Sequence, residues 1–96
     1  METKIQAIHF AATEKLEQYI EKKLEKVGKK NEQIVRASVT LKVVKPATAM
    51  NKETSISVFV PGQELHSEHI ADTFEEGVDM CCEALLKQLE KYKDKK

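Results

Sequence analysis

Residues 35 to 43 read VRASVTLKV, in which Val35, Ala37, Val39, Leu41 and Val43 alternate with Arg36, Ser38, Thr40 and Lys42. Alternate side chains of an extended chain point to opposite faces, so this pattern predicts a strand with one face buried. ETSISVFV, residues 53 to 60, repeats it with Ile56, Val58 and Val60 inward. Pro46 to Asn51 separates the two runs as a loop, and Pro61-Gly62 turns the chain into a shorter strand over about 64 to 68. KIQAIHF, residues 4 to 10, predicts a first strand through Ile5, Ala7, Ile8 and Phe10.

Two stretches change period. After Thr13, a fair helix N-cap, Leu16, Tyr19, Ile20, Leu24 and Val27 recur at helical spacing up to Gly28, a natural C-terminal stop. Thr73 with Glu76 three residues later forms a capping box. Phe74, Val78, Cys81, Cys82, Leu85, Leu89 and Tyr92 then share one helical face.

The order is β-α-β-β-β-α. A strand-helix-strand unit makes its strands parallel, and short turns make antiparallel neighbours. The expected fold is α+β and two-layered: a four-stranded mixed sheet with both helices on its single apolar face. Arg36, Ser38, Thr40, Lys42, Ser55, Ser57 and Phe59 are left on the open face.

Ninety-six residues with 41% hydrophobic content fit one domain spanning 1–96, with a basic tail from about residue 92. Cys81 and Cys82 are adjacent and cannot staple the chain, which points to a reducing compartment. METKIQAIHF lacks the basic head and apolar stretch of a secretion signal, and nowhere do 18 apolar residues run together. A cytoplasmic, soluble protein with no membrane association is expected.

Charge sharpens this outline. The formal net charge is zero, but its distribution is uneven, and a polyanion responds to local charge. From Lys22 to Lys52 nine basic residues face only Glu25 and Glu32, whereas residues 64 to 83 hold seven acids and no lysine or arginine. At about 100° per residue, Lys15, Lys22 and Lys26 fall within about 40° of one another, and Lys29 joins them if the helix passes Gly28. Glu14, Glu17, Glu21 and Glu25 form a separate stripe. Lys87 and Lys91 likewise share a flank, while Glu75, Asp79, Glu83 and Glu90 occupy another sector. The helix dipole favours early acids and late lysines, which explains the order along each helix but not the sidedness. On the charge pattern alone, a solvated surface and a binding stripe stand as equal readings. Lys23 lies on the apolar side between Tyr19 and Val27, where its stem is expected to cover the sheet.

Other chemistry is poorly represented. The two cysteines point to the apolar face without Cys-x-x-Cys spacing, which makes them core residues. His66 and His69 lie in or after a strand, where the spacing does not align two imidazoles. Gly28, Gly62 and Gly77 make no phosphate loop, and no serine has a cue for a neighbouring base. Neither an enzyme, a metal site nor a cofactor is expected. Phe59 on the open face is a lone aromatic with the option of stacking a base.

Taken in order and spacing, KKLEKV (Lys22 to Val27), VTLKVVK (Val39 to Lys45), PGQELHS (Pro61 to Ser67), FEEGVD (Phe74 to Asp79) and QLEKYKDK (Gln88 to Lys95) resemble the bacterial ribosome hibernation-promoting factors. These are also called ribosome-associated inhibitors or sigma-54 modulation proteins. The resemblance covers nearly the whole chain. It implies a fold similar to a double-stranded-RNA-binding domain with an added strand. It also implies docking on the small ribosomal subunit, where messenger and transfer RNA sit, with repression of translation and preservation of idle ribosomes. The implied contacts to ribosomal RNA fall on Lys23 and Lys26, with Lys22 by adjacency, and on Lys87, Lys91 and Lys93. Ala84 stands where the family often has a lysine, Glu75 where an aromatic is common, and Thr73 or Asp72 in place of the capping aspartate. The chain ends just after the second helix and so resembles the short form, expected to be a monomer off the ribosome. The competing reading is a protein-interaction module that uses the acidic 64–83 segment or the open sheet face.

Overall fold

The computed structural model describes residues 2–8, 10–44 and 51–94. Its elements are β1 (Glu2–Ile8), α1 (Glu14–Lys30), β2 (Arg36–Val43), β3 (Lys52–Val60), β4 (Gln63–Ala71) and α2 (Phe74–Asp94). The strands lie in the order β1-β2-β3-β4, with β1 parallel to β2 and the remaining pairs antiparallel. This is the expected two-layer α+β arrangement with a mixed sheet.

Alternation builds the core as expected. Ala37, Val39 and Leu41 of β2 and Ile56, Val58 and Val60 of β3 are buried in one cluster with Leu16, Ile20, Leu24 and Val27 of α1. Val78, Cys81, Leu85 and Leu89 of α2 complete it. Burying each such aliphatic side chain contributes about 1.5 to 3 kcal/mol, which fixes the helices on this face of the sheet. Phe10, after β1, stacks on Phe74 with ring centroids 4.9 Å apart and ties the start of α2 to the β1–α1 connection.

Helix starts follow the sequence. Thr13 Oγ1 accepts from the Leu16 amide at 3.1 Å, and Thr73 Oγ1 accepts from the Glu76 amide at 3.1 Å. The end of α1 departs from expectation. Gly28 is helical, and the helix continues to Lys30 because Asn31 caps it twice. Its side-chain Nδ2 donates to the Val27 carbonyl at 3.0 Å, and its amide donates to the Gly28 carbonyl at 3.1 Å. The glycine that does need its freedom is Gly62, whose φ of 88° closes the two-residue turn after Pro61.

Other boundaries also shift. β1 starts at Glu2 and stops at Ile8. β4 has nine residues, pairing along β3 from Val60↔Gln63 to Lys52↔Ala71. Its length was hidden because its inward positions include Ser67 and His69 between Leu65 and Ala71. Val35, expected inward, is 62% exposed. It lies just before β2, where its amide still bonds the Phe59 carbonyl at 2.7 Å but no helix covers its side chain. Tyr92 lies on α2 as its place on the helical face predicts, its hydroxyl donating to the Pro61 carbonyl at 2.8 Å, and the helix runs on to Asp94. Of the expected loop over 46–51, only Asn51 is among the described residues.

Candidate nucleic-acid interface

The two helices run side by side in the same direction. Tyr19 of α1 meets Asp79 of α2, and eleven residues further along α1 the Lys30 carbonyl accepts from Lys93 Nζ at 2.9 Å. Both C-termini therefore share one end of the molecule. The C-terminal end of each helix dipole carries partial negative charge, which favours the lysines gathered there. Continuation of α1 past Gly28 adds Lys29 and Lys30 to this end.

A groove of about 410 Å³ runs between the helices, with Lys23, Lys26 and Lys30 on the α1 side and Asp79, Cys82, Glu83 and Leu86 on the α2 side. Lys26 and Lys30 are exposed. Lys22 is exposed on the outer crest of α1, beside Lys15 and Gln18. Lys29 pairs with Glu25 at 3.7 Å, four residues earlier, in a fully hydrated setting. The α1 acids Glu21 and Glu25 line the hollow that holds Lys15 and Lys22, and also one shared with Thr3 and Ile34.

Lys23 does not lie over the sheet. Its Nζ sits 3.0 Å from Asp79 Oδ1 and 5.7 Å from the centre of the Tyr19 ring. The Tyr19 hydroxyl donates to the same oxygen at 2.7 Å. Partial burial opposes ionisation of Asp79, but hydrogen bonds from Tyr19 and Lys23 outweigh it and hold the carboxyl below the usual aspartate range. The bond to Asp79 likewise raises the Lys23 ammonium and the Tyr19 phenol above their ordinary values. Lys23 is thus charged and paired across the groove with Asp79 of α2.

The six lysines singled out from the sequence are split. Lys93 reaches toward α1, Lys22, Lys23 and Lys26 stand on α1, and Lys87 and Lys91 are exposed on the flank of α2 turned away from α1. Lys87 lies beside His69, Met80 and Ala84, so Ala84 leaves its space next to a lysine. Sequence reasoning missed Lys30, whose position depended on the cap at Asn31, and missed Asp79 and Tyr19, which only packing brings to Lys23.

The acidic 64–83 segment is not one surface. Glu64 and Glu68 alternate onto the open face of β4, whereas Glu75, Asp79 and Glu83 lie on α2. On the open face the Arg36 guanidinium stacks 4.3 Å from the Phe59 ring centre, so Phe59 is not a bare aromatic. His66 Nδ1 hydrogen-bonds Ser57 Oγ at 2.8 Å on that face, while His69 alternates to the other, which separates the two imidazoles. Cys81 and Cys82 are buried, and burial pushes both thiols up to about 11.

The family model described as sigma 54 modulation protein / S30EA ribosomal protein matches residues 3–96. No curated protein matches the chain. Among solved structures, a ribosomal subunit interface protein from Coxiella burnetii superposes with a TM-score of 0.85 at 21% identity, covering 98% of this chain and 99% of that one. The N-terminal domain of Thermus thermophilus Protein Y superposes with a TM-score of 0.80 at 22% identity, covering 96% and 99%. These two likenesses show a shared fold.

Proposed function

The chain belongs to the sigma-54 modulation protein / S30EA ribosomal protein family, a ribosome-associated family, and from that premise we propose that it docks in the decoding region of the small subunit. There it occupies the channel for messenger and transfer RNA, represses translation and keeps idle ribosomes in hibernation, as a stationary-phase or stress response. It acts without catalysis, as a single ribosome-binding domain that is monomeric away from the ribosome and works in the cytoplasm. No helix among the described residues is long and apolar enough to cross a membrane.

The observation that carries the reading is the arrangement of lysines at the shared C-terminal end of two parallel helices. Lys26 and Lys30 of α1 line a groove beside Lys93 of α2, with Lys22 on the outer crest and Lys87 and Lys91 on the far flank. Flexible ammonium groups on a rigid pair of helices suit phosphate oxygens of folded RNA, and each contact releases counterions. Lys23 stands in the same groove, its ammonium bridged across to Asp79 of α2.

Replacing Lys26 and Lys91 together by glutamate tests the assignment. Co-sedimentation with purified small subunits at physiological salt should be lost, while ribonuclease treatment of an extract should release the unaltered protein from its partner. Unchanged sedimentation of the double variant would show that the lysines are not the docking surface.

A further inference from the structure

Glu83 lies between the two lysine groups. It lines the interhelical groove with Lys26 and Lys30, and it also lines a second hollow of about 260 Å³ with Lys87 on the opposite flank of α2. One turn earlier Asp79 lies in the same groove, its charge already committed to Lys23. The α1 lysines and Lys87 therefore do not form one cationic band, because an uncommitted carboxylate stands between them.

Local structure gives Glu83 no other task. It lies in the middle of α2, too far from the N-terminus for the helix dipole to favour it. Lys87 follows four residues later, yet Glu83 makes no ion pair with it or with any other described residue. A phosphate backbone laid across both helices would meet this carboxylate between two sets of attractive contacts. Like charges brought together as water is displaced repel strongly, and such repulsion discriminates between partners. A regular duplex carries closely spaced phosphates, about one charge per 1.7 Å of axis in DNA, and leaves no gap to receive an acid. Folded RNA with irregular phosphate spacing can leave one, or present a hydroxyl or amino donor there.

We propose that Glu83 is a specificity-determining residue that makes the two-helix lysine surface reject regular duplex RNA in favour of an irregular RNA fold. The inference rests on the ribosomal-RNA reading above and adds the source of its selectivity.

The test compares Glu83→Gln with Glu90→Gln, which removes the same charge from α2 outside both hollows. The readout is the ratio of affinities for purified small subunits and for a fully paired RNA hairpin at one salt concentration. Glu83→Gln should lower that ratio about three- to tenfold by tightening hairpin binding, and Glu90→Gln should change it less than about twofold. An unchanged ratio in Glu83→Gln, or an equal fall in both variants, would overturn the proposal. Lys26→Glu, run alongside, separates the two readings. If it weakens subunit binding while the ratio stays fixed in Glu83→Gln, only the selectivity claim fails; if it has no effect on subunits, the ribosomal-RNA reading fails and takes the claim with it.

Discussion

Gly77 of α2 lies against Thr54 of β3 so closely that a β-carbon on residue 77 would sit 2.5 Å from Thr54 Oγ1 and 3.0 Å from Thr54 Cβ. Thr54 is fully buried on a central strand held on both sides by β2 and β4, so it has no direction in which to yield. Absence of a side chain at residue 77 lets α2 settle onto the sheet.

Gly77→Ala therefore reverses the sign that helix propensity assigns. Alanine favours a helix interior by about 1 kcal/mol over glycine. Overpacking a tight core costs about 1 to 3 kcal/mol, and here it wins. Urea unfolding should show a lower midpoint for Gly77→Ala. Adding Thr54→Ala, which removes the nearest atom, should cost less in that background than in the native one; strict additivity would place the strain elsewhere.

The bond set of Asp79 with Lys23 and Tyr19 predicts a pH window. The Asp79 carboxyl is held below its ordinary value of 3.8, so its contribution is complete above that value and lost as pH falls through the lower folded-state value. Lys23 and Tyr19 are raised above 10.5 and 10.0, so theirs is complete below those values and lost as pH rises through the raised ones. The groups are largely hydrated, and the effect is small. The stability difference between the native protein and Asp79→Asn should be flat from about pH 5 to 9 and shrink toward both extremes. A difference still undiminished at pH 2 would mean that packing, not charge, is what Asp79 supplies.

Salt dependence distinguishes neighbouring lysines. A lysine in contact with a phosphate contributes about 0.7 to 0.9 to the slope of log affinity against log salt. Lys30→Ala, from the groove, should reduce the slope for small-subunit binding by about that amount. Lys29→Ala should reduce it less, because Lys29 already has Glu25 as a partner at 3.7 Å. Equal reductions would show that the two ammonium groups are equally available to RNA.

How much of this was legible depended on the distance over which each signal acts. Alternation in residues 35 to 43 and 53 to 60 and the helical faces of α1 and α2 were readable because each turn of helix or pair of strand residues repeats the message. β4 was read too short because Ser67 and His69 interrupt its apolar alternation, although pairing with β3 continues past them. Glycine often ends helices, which makes Gly28 a natural stop, but Asn31 holds the Val27 and Gly28 carbonyls and carries the helix to Lys30. The flanks shared by Lys22 and Lys26 and by Lys87 and Lys91 were readable; how the two helices set those flanks against each other was not.

Local spacing was sufficient for the element order and for most of the residues that fill the core, since these follow from the pitch of a helix and the pleat of a strand. Packing assigned the partners. It turned Lys23 toward Asp79 and Lys93 toward the end of α1, divided the lysines by the carboxylate of Glu83, and set the bare face of Gly77 on Thr54. These contacts join residues far apart in sequence, up to 63 positions for Lys93 and Lys30, and depend on how two helices settle on one sheet, which no local pattern encodes.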